Sequence, residues 1–204
     1  MKIVLLADDE QIEELRISID NIDKCEMVAD VETFYKIPGT DAYINLQEDA
    51  ASKKYDGLNG IVLINSVINT LKETKTLPNV FRINGWNGFL SSSNWEIAGE
   101  ENDFLKSIFT FLNKKYTVVA DEPGFVAARV ISMIINEAYF ALGEKISTKE
   151  EIDIAMKLGT NYPFGPFEWC NKIGIKKIYT LLQRLSKDDS SYLPAPLLKE
   201  EATR

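Results

Sequence analysis

Short apolar runs alternate with polar, helix-like stretches through the first half of the chain. Residues 2–7 form a continuous aliphatic run, the pattern of a strand buried on both faces. Residues 9–22 then place Ile12, Leu15, Ile19 and Ile22 at helical spacing behind an acidic start. Further strands are predicted at 25–31, 41–47, 60–64, 80–83 and 116–120, with another helix at 104–113. This alternation predicts an α/β unit built on a parallel sheet.

The pattern changes at residues 121–124, Asp-Glu-Pro-Gly, after which only helices are predicted. Residues 125–142 are apolar around most of a helix, so this helix needs cover on several sides. A capping box at Ser147 or Thr148 starts the next helix, which is expected to stop at Gly159. Two more helices are predicted at 166–173 and 175–185, followed by an extended surface tail from residue 187. We therefore predict two domains, 1–120 and 121–204.

Composition is that of a globular protein. The 204 residues are 45% hydrophobic and 26% charged. No apolar run reaches the roughly 18 residues of a membrane helix, so no membrane association is expected. The apolar N-terminus turns acidic at Asp8, which favours a buried strand over a signal peptide and predicts a cytoplasmic protein.

Charge and the rare residue types narrow the chemistry. A net charge of -8 disfavours nucleic acid as a partner, although a local basic pocket could still hold a small phosphorylated ligand. Cys25 and Cys170 are not in metal-ligand spacing and are expected to be free thiols. The chain has no histidine, which removes the usual neutral-pH base and the commonest transition-metal ligand. No metal site is therefore predicted.

Four segments of the second half resemble the C-terminal domain of the 3-hydroxyacyl-CoA dehydrogenases. They are EPGFV at 122–126, NEA at 136–138, EEIDIAMKLG at 150–159 and NYPFGPFE at 161–168. The resemblance implies a Rossmann-like N-terminal domain, an all-helical C-terminal domain that forms a homodimer, and a cleft for an acyl-CoA. A purely structural interpretation of Gly159, Pro163, Gly165 and Pro166 stays open, because these residues suit the end of one helix and the start of the next.

The nicotinamide-binding turn that the family implies is not present in this sequence. NAD binding needs Gly-x-Gly-x-x-Gly after the first strand, whereas residues 7–12 read Ala-Asp-Asp-Glu-Gln-Ile. One carboxylate about 5 Å from a phosphate charge costs roughly 3 kcal/mol at an effective dielectric of about 20. We therefore expect a truncated, degenerate Rossmann-like domain without a bound cofactor.

The resemblance also assigns site residues. Asn84 stands where the family has its catalytic histidine, and asparagine cannot accept and return a proton at neutral pH. Glu96 matches the glutamate that orients that histidine, and Asn87 is a candidate substrate-binding residue. The family serine corresponds to Ser66, with Val67 as the strict match. Ala128, before Arg129, replaces a substrate-binding asparagine.

Three functions follow from these assignments. The first is a homodimeric binding or scaffold protein that has lost dehydrogenase activity and holds an acyl-CoA-type ligand. The second is an active oxidoreductase of the family with Glu96 as the base. The third is a non-redox acid–base enzyme that uses Glu96 with Asn84 and Asn87 in the same cleft.

Overall fold

The chain consists of two compact units in the computed structural model, which describes residues 1–48 and 50–204. The first unit is Met1–Phe125 and the second is Val126–Arg204. The sequence prediction divided the chain between residues 120 and 121. Residues 121–125 are part of the first unit because they are hydrogen-bonded to its sheet, as described below.

The first unit carries a mixed sheet with short helices. Its strands are β1 (Ile3–Leu6), β2 (Glu26–Val28), β3 (Ala42–Asn45), β4 (Ile61–Asn65), β5 (Val80–Ile83), β6 (Asn94–Ala98) and β7 (Lys115–Val118). Its helices are α1 (Asp9–Ser18), α2 (Val31–Lys36), α3 (Leu71–Thr74) and α4 (Asp103–Phe111). Strand β6 was not predicted, because the polar residues Asn94 and Glu96 alternate with its buried apolar residues Trp95 and Ile97 and leave no continuous apolar run.

The strand order is β2-β1-β3-β4-β5-β6-β7. The first five strands pair in parallel, β6 pairs antiparallel with β5, and β7 pairs parallel with β6. The predicted α/β class is confirmed, while the prediction of a wholly parallel sheet is corrected at the β5–β6 pair. The carboxyl ends of β1, β3, β4 and β5 meet at one edge, and β6 enters the sheet from that edge.

Alternating side chains of the strands pack against layers on the two faces of the sheet. On one face Leu5, Ile44, Leu63 and Ile83 pack with residues of α1 and α4. On the other face the intervening residues, such as Val4 and Val62, pack with Phe34 of α2. The continuous apolar runs of the sequence arise because both faces of these strands are covered.

The second unit is helical. It contains α5 (Ala127–Gly143), α6 (Lys149–Thr160), α7 (Pro166–Ile173), α8 (Ile175–Leu185) and α9 (Pro196–Thr203). Helix α5 packs against α7, α8 and α9. The predicted all-α class of this half is confirmed. Helix α5 begins two residues later than predicted, because Gly124 and Phe125 both have positive φ angles, of 85° and 50°.

Two predictions in this unit were wrong. Helix α6 continues through Gly159 to Thr160 and ends at Asn161, which takes the left-handed conformation with φ 55°. The C-terminal tail is not extended throughout, because residues 196–203 form α9 with Leu198 and Ala202 buried. That pair lies one turn apart on one helix face, and α9 packs against α5 and α8.

The capping box and the free thiols match the sequence prediction. Thr148 and Glu151 form the capping box at the start of α6. Cys25 and Cys170 are free and buried, and burial raises the pKa of each thiol to about 11. In the part of the chain that the structure describes, every helix is too short or too polar to span a bilayer.

Candidate functional site

The turn between β1 and α1 is held by hydrogen bonds from its own side chains. Asp8 is the N-cap, and its Oδ1 accepts a hydrogen bond of 2.8 Å from the backbone N of Gln11. The Gln11 side chain accepts from the backbone N of Asp8 at 3.0 Å and donates to the carbonyl O of Leu46 at 2.9 Å. The Gln11 N–H, one of the helix donors that could receive a pyrophosphate, is therefore engaged by a carboxylate. These residues do not fit a nicotinamide dinucleotide at this turn.

Asn84 and Glu96 lie side by side on β5 and β6. Asn84 directly follows β5, is 4% exposed, and donates from Nδ2 to Glu96 Oε2 at 3.4 Å. Its backbone N also donates to the Glu96 carbonyl O at 3.4 Å. The two residues that the resemblance paired are thus in contact. The pair joins an amide to a carboxylate, so Glu96 is the only member able to exchange a proton.

A second buried amide, Asn65, lies beside this pair. Asn65 ends β4, and its Nδ2 donates to the Leu46 carbonyl O at 3.1 Å. A Cβ atom at Gly85 would lie 2.8 Å from its side chain, so the chain after Asn84 passes directly over it. The Oδ1 atoms of Asn65 and Asn84 are both buried without a hydrogen-bond partner among the described residues. Two such acceptors at one edge require donors from water or a ligand.

Sequence reasoning missed Asn65, although a signal was present. Asn45, Asn65 and Asn84 each come at the end of a buried apolar strand, and these strands are neighbours in the sheet. Ligands of open α/β sheets bind at the carboxyl ends of the strands. The repeated asparagine at the end of consecutive strands could have pointed to this edge.

Ser66 and Val67 stabilise the loop after β4 through hydrogen bonds. The Ser66 hydroxyl donates to the Asn69 carbonyl O at 2.7 Å, so it closes the turn into α3. Val67 is buried, and its carbonyl O accepts from the backbone N of Gly124 at 2.7 Å. No hydrogen bond in the described chain joins the Ser66 side chain to Asn84 or Glu96.

Arg82, in the middle of β5, is a structurally important residue that sequence reasoning also missed. Its side chain is fully buried and forms an ion pair with Asp121. It also donates to the carbonyl O atoms of Ser66 at 2.7 Å and Glu122 at 3.2 Å, and lies 4.5 Å from the centre of the Phe125 ring. Burial lowers the pKa of the guanidinium while Asp121 opposes that shift. Arg82 thereby ties residues 121–125 to the sheet.

Asn87 lies half-buried in the loop after β5, and none of the described residues hydrogen-bonds to its side chain. The loop is held by its neighbour, because the backbone N of Gly88 donates to both carboxylate oxygens of Glu14, at 2.7 and 2.8 Å. Glu14, on α1, is itself buried. The Asn87 amide is therefore placed by a tethered loop, while its own hydrogen-bonding groups remain available.

Ala128 is fully buried on α5 of the second unit, and its methyl group offers no hydrogen bond. Two turns later, Asn136 donates from Nδ2 to the Leu193 carbonyl O at 2.9 Å and accepts from the backbone N of Ala195 at 2.7 Å. Asn136 therefore holds the segment that leads into α9. Asn136 belongs to one of the segments that carry the family resemblance, but its structural role is evident only from the fold.

The turn around Gly165 has a structural role within the second unit. The Asp153 carboxylate accepts from the backbone N atoms of Phe167 at 2.8 Å and Glu168 at 3.2 Å, and so caps α7. A Cβ atom at Gly165 would lie 2.3 Å from Asp153 Oδ1. Burial raises the pKa of Asp153, and the two backbone bonds oppose that shift. Gly165 and Pro166 thus start a helix, as the structural interpretation predicted.

The second unit is similar to a domain of known proteins. Residues 124–203 match the 3-hydroxyacyl-CoA dehydrogenase C-terminal domain. The chain is 39% identical over 101 residues to the 3-hydroxyadipyl-CoA dehydrogenase of Escherichia coli (strain K12), covering 48% of this chain and 21% of that protein. It is 39% identical over 95 residues to the 3-hydroxybutyryl-CoA dehydrogenase of Bradyrhizobium diazoefficiens, covering 46% of this chain and 32% of that protein. The match thus spans a third or less of these relatives.

The fold of the whole chain has a counterpart among solved structures. The (S)-3-hydroxybutyryl-CoA dehydrogenase from Ralstonia eutropha aligns with a TM-score of 0.71 at 20% identity, over 99% of this chain and 93% of that chain. This likeness establishes the fold, a Rossmann-like unit followed by a helical unit, and confirms the predicted fold class. The sequence of the second unit, over residues 124–203, is similar to the C-terminal domain of the 3-hydroxyacyl-CoA dehydrogenases.

Proposed function

We propose that the protein binds an acyl-CoA-type ligand as a homodimer and does not transfer hydride to or from a nicotinamide. The observation that carries this proposal is the β1–α1 turn, in which Asp8 caps the helix that a dinucleotide would need. The exposed acids Asp9 and Glu10 in the first helical turn add negative charge at the same place. A dinucleotide would have to displace the cap and overcome this charge.

The replaced histidine supports the same conclusion. Asn84 contacts Glu96 but has no titrating group near neutral pH, so the pair cannot move a proton from a hydroxyl as a histidine–glutamate pair does. This edge of the sheet can still bind a ligand, because Asn84 Oδ1 and the neighbouring Asn65 Oδ1 have no donor in the described chain. Two free thiols accord with action in the cytoplasm, where cysteines stay reduced.

The exposed apolar residues of the second unit support a homodimer. Val126 and Val130 are 57% and 49% exposed and lie one turn apart at the start of α5. Ile154 and Leu158 are 54% and 83% exposed and lie one turn apart on α6. Apolar side chains repeated along a helix face in this way are typical of an interface. The proposal assigns that face to a second copy of the chain.

A non-redox acid–base enzyme is the second candidate function. The contact between Glu96 and Asn84, together with the two acceptor oxygens, would place a carboxylate beside a bound ligand. An active oxidoreductase with Glu96 as the base would need NAD to bind at a site other than the β1–α1 turn. Substrate turnover distinguishes both alternatives from a binding protein.

Calorimetric titration of the full chain with acetoacetyl-CoA and with NADH tests the proposal. We expect saturable binding of the acyl-CoA, no binding of NADH, and no change in NADH absorbance when the two are mixed. Asn84→Leu should weaken acyl-CoA binding about tenfold or more, because it removes one of the two buried acceptor oxygens of the site. Asn171→Leu, at an exposed position on α7, is the matched control and should bind as the wild type does. Tight NADH binding, or steady turnover that Glu96→Gln abolishes, would contradict the proposal.

A further inference from the structure

A groove of about 900 Å³ lies on the first unit, away from the residues discussed above. It is formed by the end of α1, the segment that leads into β6, helix α4 and the start of β7. None of Ser66, Asn84, Asn87 and Glu96 lines it. A groove of this volume can hold a small molecule, since ligand pockets measure roughly 300–1,000 Å³.

The groove is positively charged on an acidic protein. Lys106, Lys114 and Lys115 line it together with a single acidic residue, Asp20, so the formal charge of its lining is 3 − 1 = +2. The whole chain has a net charge of -8. Asn113 also donates to Asp20 Oδ2 at 2.6 Å and so uses part of the accepting capacity of that carboxylate. The local field therefore favours an anion where the overall field does not.

Lys114 is the most unusual of these lysines, because its charged group is buried. The residue is 5% exposed, and Nζ donates to the Leu90 carbonyl O at 3.2 Å and to the Ser92 carbonyl O. It also lies 4.7 Å from the centre of the Trp95 ring. An ammonium group has three donors, so one remains for another partner. Within residues 1–48 and 50–204, no carboxylate forms an ion pair with it.

A buried cation without a counter-ion is costly. Burial accordingly lowers the pKa of Lys114 to about 8. An anion beside Nζ would supply the missing charge and the missing hydrogen bond together. Lys114 is one of the residues that line the groove, so an anion bound in the groove would lie next to this residue.

Further donors lie along the same groove. Ser91 and Ser93 line it, and their hydroxyl groups make no hydrogen bond to any other described residue. Lys115 is exposed and has no ion pair within the described chain, whereas Lys106 is paired with Asp103 at 3.4 Å. Two ammonium groups and two hydroxyl groups suit a dianion with several acceptor oxygens.

We propose that this groove binds a small molecule through a phosphate group, which Lys114, Lys115 and the hydroxyls of Ser91 and Ser93 recognise. The proposal goes beyond the acyl-CoA function and does not depend on it. The site shares no residue with the Asn84–Glu96 pair.

Calorimetric titration of the full chain with pyrophosphate at low ionic strength is the direct test, with acetate as the comparison anion. Saturable binding of pyrophosphate, with acetate at least about tenfold weaker, is the expected result because acetate carries one charge and two acceptors. Absence of pyrophosphate binding, or equal binding of both anions, would overturn the proposal.

Variants distinguish binding of pyrophosphate in this groove from nonspecific attraction of the anion to surface lysines. Lys115→Gln should weaken pyrophosphate binding about threefold, as expected for an exposed charge. Lys114→Met should weaken it about tenfold or more, since a buried charge contributes more. Lys187→Gln, at an exposed position of the second unit, is the matched control and should leave binding unchanged. If Lys114→Met does not fold, the pyrophosphate affinities of Lys115→Gln and Lys187→Gln are compared instead. Equal affinities of these two variants would overturn the assignment of the site.

The pH dependence gives a readout specific to Lys114. Its ammonium form binds the anion, so the ratio of wild-type to Lys114→Met affinity should fall towards one as pH rises through about 8. The other charged or titratable groups lining the groove are Asp20, Lys106, Lys115 and Tyr116. Burial and the bond to Glu101 raise the pKa of Tyr116 to about 12, so its hydroxyl stays neutral in this range. A ratio that does not change between pH 7 and 9.5 would contradict the role of Lys114.

Discussion

Gly85 lies where the chain leaves β5, against the side chain of Asn65. A Cβ atom there would lie 2.8 to 2.9 Å from three atoms of Asn65, closer than packed atoms allow. Gly85→Ala should therefore lower the free energy of unfolding by about 1–3 kcal/mol, as overpacked sites do. The measurement is chemical denaturation followed by circular dichroism.

Gly159→Ala is the control for the change at Gly85. Gly159 lies inside α6, and nothing lies within 4 Å of a Cβ atom at that position. Alanine favours the helix by roughly 0.5–1 kcal/mol, so this variant should be as stable as the wild type or more so. If both variants change the free energy of unfolding equally, the close contact between Gly85 and Asn65 is not the cause of the destabilisation.

At the residue scale, the sequence predicted those site residues that a family motif marks. The spacing of twelve residues paired Asn84 with Glu96, and the antiparallel β5–β6 pair brings them to 3.4 Å. Asn65, Arg82 and Lys114 were not predicted, because their importance comes from burial and from partners distant in the chain. In the sequence Arg82 is an ordinary charged residue, and only the fold shows that it donates to the carbonyl O atoms of residues 66 and 122.

At the element scale, periodicity predicted most strands and helices and failed where an element depends on its neighbours. Strand β5 and helices α7 and α8 were predicted with the observed limits. Strand β6 alternates polar and apolar residues over too short a span to be distinctive. Helix α9 was predicted as a tail because its apolar pair, Leu198 and Ala202, is meaningful only against α5 and α8.

The position of α9 depends on Asn136, which bonds the segment before it at both Leu193 and Ala195. Asn136→Leu should lower the free energy of unfolding by about 2–3 kcal/mol, because it leaves two backbone groups without partners. Hydrogen exchange of residues 193–203 should accelerate while that of α6 stays unchanged. Asn171→Leu, exposed on α7, should alter neither measurement. Unchanged exchange near α9 in Asn136→Leu would show that the helix is held by its apolar contacts alone.

At the scale of the whole molecule, the proposed dimer is the property most open to test. Leu158 is 83% exposed on α6, and Ile154 lies one turn before it. Leu158→Glu should convert the dimer to a monomer at micromolar concentration, because the dimer would bury two uncompensated carboxylates. Light scattering coupled to size exclusion gives the mass directly.

Ile17→Glu is the matched control for the dimer, since Ile17 is 76% exposed on α1 of the first unit. It should leave the mass of the particle unchanged. A wild-type protein that is monomeric at high concentration would contradict the proposed dimer. A dimer that Leu158→Glu leaves intact would show that the self-association surface lies elsewhere.

The ion pair of Arg82 also sets where the chain can be cut for separate expression of its halves. A fragment that stops at residue 120 leaves a fully buried guanidinium without Asp121, without the Glu122 carbonyl and without the Phe125 ring. A fragment that runs to Phe125 keeps all of these partners. Removing the partner of a buried charge typically costs about 3–5 kcal/mol, a large part of the stability of a small domain. The soluble yield of the Rossmann-like half therefore depends on residues 121–125.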